Sequence, residues 1–128
     1  MKGKQRFFFC KNHCGNIVGM VDDKRGKLVC CGEPMTELVP NTVEASKEKH
    51  LPAVTASGDS VSVQVGSVIH PMEEAHHIQF IYLETEQGGQ RRAFKPGDEP
   101  KHTFCLSGEK AVAVYEYCNL HGLWKVEI

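Results

Sequence analysis

Cysteine and histidine dominate the chemistry available to this chain. Cys10 and Cys14 bracket "CKNHC", Cys30 and Cys31 are adjacent in "LVCCGEP", and Cys118 precedes His121 in "YCNLHGLW". Four thiolates brought together suit tetrahedral iron or zinc, and the ligands alone do not choose between the two. The adjacent pair has a geometric condition. Neighbouring side chains on a strand point to opposite faces, so Cys30 and Cys31 reach one ion only if the backbone turns there. Gly32 and Pro34 are expected to supply that turn.

A second group lies further along. His50, His70, His76 and His121, with Cys118, offer five donors from three loop or strand-end segments, "EKHLP", "IHPMEEAHHIQ" and "CNLHG". Imidazole nitrogen suits iron, copper and zinc, and a single thiolate narrows the field. Taken one at a time, each has an ordinary reading: a loop histidine is solvated, and a lone cysteine is a small buried hydrophobe. Met72, Phe80 and Trp124 read as packing residues, and His102 and Cys105 as structural ones. His77 points away from His76 once a strand has begun.

These donors need elements to hold them. Residues 1–38 read as a small β-ribbon, with "RFFFC", "NIVGMV" and "KLVCC" as strands and "DDKRG" as a turn. It has too little apolar surface to fold without a metal staple. Polar "VPNTVEASKEKHLPAV" marks a boundary and then a loop. Residues 39–128 then alternate between strands and turns: "SVSVQV", "HHIQFIYLET", "QRRAFK", "HTFCLS", "KAVAVYEYC" and "LWKVEI". No ten-residue stretch carries a helical period. The expected fold is all-β, a metal-stapled β-ribbon followed by an immunoglobulin-like antiparallel sandwich. Within it, Cys118 shares a face with Val112 and Val114, and so points inward.

Composition removes several function classes. Lys and Arg total 15 against 16 Asp and Glu, for a net charge of −1, which leaves no basic footprint for nucleic acid. The start lacks the apolar stretch of a signal peptide, and no segment is apolar enough to span a membrane. A soluble, cytoplasmic protein is expected. In that reducing setting six cysteines point to metal before disulfides.

The motifs "CGNIV…LVCCGEPM", "EKHLP", "HPMEEAHHIQ" and "CNLHGLWK" together resemble the desulfoferrodoxin, or superoxide reductase, family over essentially the whole chain. One departure is the three residues between Cys10 and Cys14, where the family has two. The resemblance implies a four-cysteine iron or zinc site at Cys10, Cys14, Cys30 and Cys31. It also implies a catalytic iron held by His50, His70, His76 and His121 around an axial Cys118. Glu48 and Lys49 are the implied catalytic residues, Lys49 by drawing in an anion.

The implied reaction is one-electron reduction of superoxide to hydrogen peroxide, with an external electron donor such as rubredoxin and a homodimeric assembly. Such a protein would serve electron transport and detoxification. Three rivals are a pure electron carrier, a zinc-stapled binding module and a superoxide dismutase. An open coordination position and Lys49 speak against the carrier, which needs neither.

Overall fold

The computed structural model describes residues 2–128, and nearly all of its regular structure is strand. The chain divides into a small unit, Lys4–Val39, and a larger one made of Pro40–Ile128 with residues 2–3.

In the small unit β1 (Phe7–Phe9) lies between β2 (Ile17–Gly19) and β5 (Thr36–Glu37), both antiparallel to it. β3 (Val29–Cys30) pairs with β4 (Glu33–Pro34) in a separate tight hairpin. Cys31 and Gly32, at φ 53° and 79°, form its two-residue turn. Positive φ at both central residues matches the twist of a hairpin. The turn therefore sits on Cys31 and Gly32. Pro34 is not part of it, but pairs with Val29 in β4. "KLVCC" likewise returns to pair with β4 rather than with "NIVGMV". Arg6 ties the unit together, with one guanidinium nitrogen 3.0 Å from Asp23 and another 2.9 Å from Glu37.

The larger unit is a two-sheet sandwich. It opens with a single helical turn, α1 (Lys47–His50), and then β6 (Pro52–Ser57) and β7 (Ser60–Val65). β8 (Ile78–Thr85) and β9 (Gly88–Ala93) form one hairpin, β10 (Lys101–Cys105) follows, and β11 (Ala111–Cys118) and β12 (Gly122–Glu127) form another. One sheet runs β10-β7-β6 and the other β12-β11-β8-β9. That order, with β8 beside β11 rather than β10, is the immunoglobulin arrangement. β6 and α1 stand where a loop is expected, because "PAVTAS" shows no apolar alternation and pairs through its backbone along β7.

Val61, Val63 and Val65 on β7 and Phe104 on β10 meet Ile81, Leu83, Val114 and Cys118 of the other sheet in one core. Fully burying each large aliphatic side chain contributes roughly 1.5–3 kcal/mol. A register shift where β11 crosses from Tyr117 to Cys118 moves its β8 partner from Phe80 to Ile78, so one β8 residue bulges out. The bulge re-aims the end of the pair, as bulges beside functional sites do.

Glu116 shares the inward face of β11 with Val114 and Cys118. It is fully buried, and neither carboxylate oxygen has a hydrogen-bond partner among the described residues. Burial holds its pKa well above the carboxylate range. The unfolded chain loses this proton near pH ~4.3, while the folded chain keeps it, so stability falls as pH rises from there through the raised folded pKa. Glu116→Gln removes that dependence. The melting temperature of Glu116→Gln minus that of the parent should be larger at pH 8 than at pH 4; an equal difference at both would show that Glu116 ionises in the fold.

Candidate metal centre

Strand order brings the donors to one end of the sandwich. His50 ends α1 just before β6, His70 follows β7, His76 precedes β8, and Cys118 ends β11. His121 lies in the three-residue loop between Cys118 and its pairing partner Gly122. In an immunoglobulin sandwich the loops after β7 and β11 share an end, so residues distant in sequence meet there.

The four rings occupy the corners of a near-square. Centroid separations along its sides are 4.7 Å (His50–His70), 4.7 Å (His70–His76), 5.1 Å (His76–His121) and 4.9 Å (His121–His50). The His50–His76 diagonal is 6.5 Å. Neighbouring rings stand nearly perpendicular, at 75° to 89°. Donor atoms of His50, His76, Cys118 and His121 all lie within 4.8 Å of one another. His70 Nε2 completes the ring at 3.2 Å from His50 Nε2.

Hydrogen bonds decide which nitrogen faces inward. His50 Nδ1 donates to the Ser46 carbonyl and His70 Nδ1 to the Pro71 carbonyl, each at 2.7 Å. A carbonyl only accepts, so both Nδ1 atoms carry the proton and both Nε2 atoms present lone pairs. Those lone pairs face each other at 3.2 Å, and His121 Nδ1 approaches His50 Nε2 at 3.1 Å. His76 Nε2 is buried with no protein partner among the described residues. Converging, unprotonated nitrogens repel unless a cation lies between them. The donor set thus fits a metal ion.

Electrostatics point the same way. Burial holds the pKa of His50, His70 and His76 down, His70 to about 4, so the rings stay neutral ligands. Lys49 lowers His50 and His76 further as a smaller effect, which places its ammonium within electrostatic reach. Burial raises the Cys118 thiol, while the amides of Leu120 and His121 partly offset this by pointing at the sulfur. A metal ion must therefore displace the Cys118 proton.

The supports of the square are specific. Gly66 presses against α1: a Cβ there would lie 2.5 Å from the Glu48 carbonyl oxygen. That carbonyl accepts from Val68 N and Ser67 Oγ, which docks the turn carrying Glu48, Lys49 and His50. Both Glu48 and Lys49 are exposed at its surface. Trp124, read from sequence as packing alone, stacks on His50 at 5.0 Å and donates its indole N–H to the His121 carbonyl. Its place three residues after His121 is the signal that could have found it.

The second constellation lies in the small unit, where the sulfurs of Cys10, Cys14, Cys30 and Cys31 are within 4.8 Å of one another. The Asn16 amide lowers Cys14 to about 7, while hydrogen bonds to Cys10 and Cys14 raise Cys30 to about 12. Four thiols this close cannot all ionise without a cation, so this set also fits a metal. The three-residue spacing closes as a turn in which Gly15 N donates to Cys10 O. His13 turns to Glu33, 3.3 Å away, and is not part of the cluster.

Two family descriptions match this chain: Desulfoferrodoxin, N-terminal domain, over residues 4–38, and Desulfoferrodoxin over residues 42–127. The chain belongs to the desulfoferrodoxin family. It is 48% identical over 115 residues to the desulfoferrodoxin of Nitratidesulfovibrio vulgaris, covering 90% of each chain. A superoxide reductase of Pyrococcus abyssi is 35% identical over an alignment of 99 positions that covers 63% of this chain and 86% of that one. Among solved structures, the superoxide reductase of Treponema pallidum superposes with a TM-score of 0.79 at 35% identity, covering 95% of this chain and 98% of that one. The two donor sets fit the two iron centres of a desulfoferrodoxin; the metal of the four-cysteine site is not specified by its ligands.

Cys118 is the one sulfur among the donors of the histidine site. Cys118→Ser should therefore abolish the thiolate-to-iron absorption of the oxidised site while the fold persists. Persistence of that band in the serine variant would show that another group supplies the sulfur.

Proposed function

We propose that this chain is a superoxide reductase: superoxide gains one electron and two protons and leaves as hydrogen peroxide, without dismutation. The observation that carries this reading is the square of four imidazoles joined by one cysteine sulfur, with the exposed Lys49 directly before His50. His50, His70, His76, His121 and Cys118 are the proposed holders of the catalytic iron. When bound there, iron would supply the single electron by cycling between its ferrous and ferric states.

The chain's own groups do the rest. Lys49 raises the local concentration of a small anion at the rim and orders water that can deliver protons. Glu48 brings a carboxylate to the same turn, where it is placed to take the open side of the site as hydrogen peroxide leaves. Buried Cys118 and the stacked Trp124 close the inner side of the site, which leaves the rim as the approach.

The proposal extends to two modules, 1–38 and 39–128, the first stapled by iron or zinc on Cys10, Cys14, Cys30 and Cys31. A small electron-transfer protein such as rubredoxin is the proposed donor. A cytoplasmic homodimer is the proposed form, in which the chain serves electron transport and detoxification. Among the described residues no helix is long and apolar enough to cross a membrane.

Stoichiometry tests the reaction. With an electron donor present, each superoxide consumed should yield one hydrogen peroxide and no oxygen; oxygen release at half that yield would make the protein a dismutase. Lys49→Ala should slow the second-order reaction with superoxide by about tenfold or more. Added salt should slow the parent toward the variant, because screening weakens the same field. Stopped-flow traces of equal speed at low salt would remove Lys49 from the mechanism.

A further inference from the structure

Two corners of the histidine square are oriented through their rings, His50 by the Ser46 carbonyl and His70 by the Pro71 carbonyl. His76 is held differently. Its buried Nε2 has no hydrogen-bond partner among the described residues, and the hydrogen bonds around it fall on the backbone that carries it. On one side that backbone is a narrow loop, closed where His76 N donates to Glu73 O and Glu73 N to His76 O.

On the other side stands a single side chain. Asn119 Nδ2 donates to the carbonyl of Ala75 at 3.0 Å, and Asn119 Oδ1 accepts from the amide of His77 at 2.9 Å. Asn119 N donates in turn to the His77 carbonyl at 3.2 Å. One carboxamide therefore brackets His76, with its acceptor on the residue after and its donor on the residue before. A carboxamide is the side chain that carries one donor and one acceptor side by side for this task.

We infer that Asn119 is the positioning residue for His76, and that through it the segment carrying Cys118 sets one corner of the square. Asn119 follows Cys118 directly in the β11–β12 loop, so the thiolate and this imidazole move as one mechanical unit. The other three corners have no such link to the cysteine through a side-chain amide among the described residues. Partners that orient a ligand without touching the metal characteristically change metal affinity by 10–100-fold when removed. This inference rests on reading His76 and Cys118 as ligands of one ion.

The test uses the iron-loaded full-length protein and three variants: Asn119→Ala, Asn119→Asp and, as a control for general loss of stability, Thr85→Ala. Thr85 donates to Glu109 away from the site. Two quantities are read: the rate of iron release to an iron(II) chelator, and the energy of the thiolate-to-iron absorption after oxidation. Asn119→Ala should release iron about tenfold faster or more, and should shift the band. Asn119→Asp keeps the acceptor for His77 and loses the donor to Ala75, so it should fall between Asn119→Ala and the parent. Thr85→Ala should lower the melting temperature and move neither quantity.

The inference is overturned if Asn119→Ala folds with the parent's release rate and band, or if its changes match those of Thr85→Ala. Should Asn119→Ala fail to fold, Asn119→Asp decides: parental values in that near-isostere overturn the assignment. Absence of the thiolate band from the iron-loaded parent would sink the ligand reading instead, and this inference with it. A parental band that Asn119→Ala leaves in place sinks this inference alone.

Discussion

Lone pairs aimed at one point are the constraint on which the histidine site depends. His50 and His70 give their ring protons to backbone carbonyls and leave unprotonated nitrogens facing each other 3.2 Å apart. Two lone pairs so placed repel unless a cation lies between them, and burial lowers the pKa of both rings, which keeps them from taking up charge instead. The polypeptide supplies a preformed repulsion that a cation converts into attraction. Carbonyl partners, Trp124 and the Gly66 contact all serve to keep the rings from turning away.

The four-cysteine site meets the same condition by different means. There the backbone reverses within one dipeptide, Cys31–Gly32, so that adjacent cysteines face one point. Thiols need no orienting carbonyl, since a sulfur offers lone pairs in several directions, whereas an imidazole offers one. This difference explains why the small unit needs only short hairpins and an Arg6 ion-pair clamp, while the histidine site needs a whole sandwich end.

Much of this was legible in the residues. Side-chain type carries ligand chemistry directly, so Cys10, Cys14, Cys30, Cys31, the four histidines and Cys118 stood out without a fold. Strict alternation exposed β7, and the turn clusters exposed the strands that follow it, which together indicate an all-β sandwich. What stayed hidden depends on tertiary context. β6 has no apolar period because its pairing with β7 comes from the backbone, and α1 is one turn held by contacts from Gly66 to Val68. Pro34 looked like a turn residue, but positive φ falls on Cys31 and Gly32, so the reversal comes earlier. Trp124 and Asn119 look like packing and loop residues until their partners are known: Asn119 bonds Ala75 and His77, and Trp124 stacks on His50, all far along the chain.

The stacking of Trp124 on His50 has an optical consequence. The chain has a single tryptophan, and its indole lies 5.0 Å from an imidazole at the histidine site. Emission from that indole therefore reports on one place in the molecule, without contributions from other indoles. A paramagnetic or strongly absorbing ion held by the rings would quench it, while a closed-shell ion would leave it bright. The protein carries its own fluorescent probe of occupancy, built into the wall of the site it would report on.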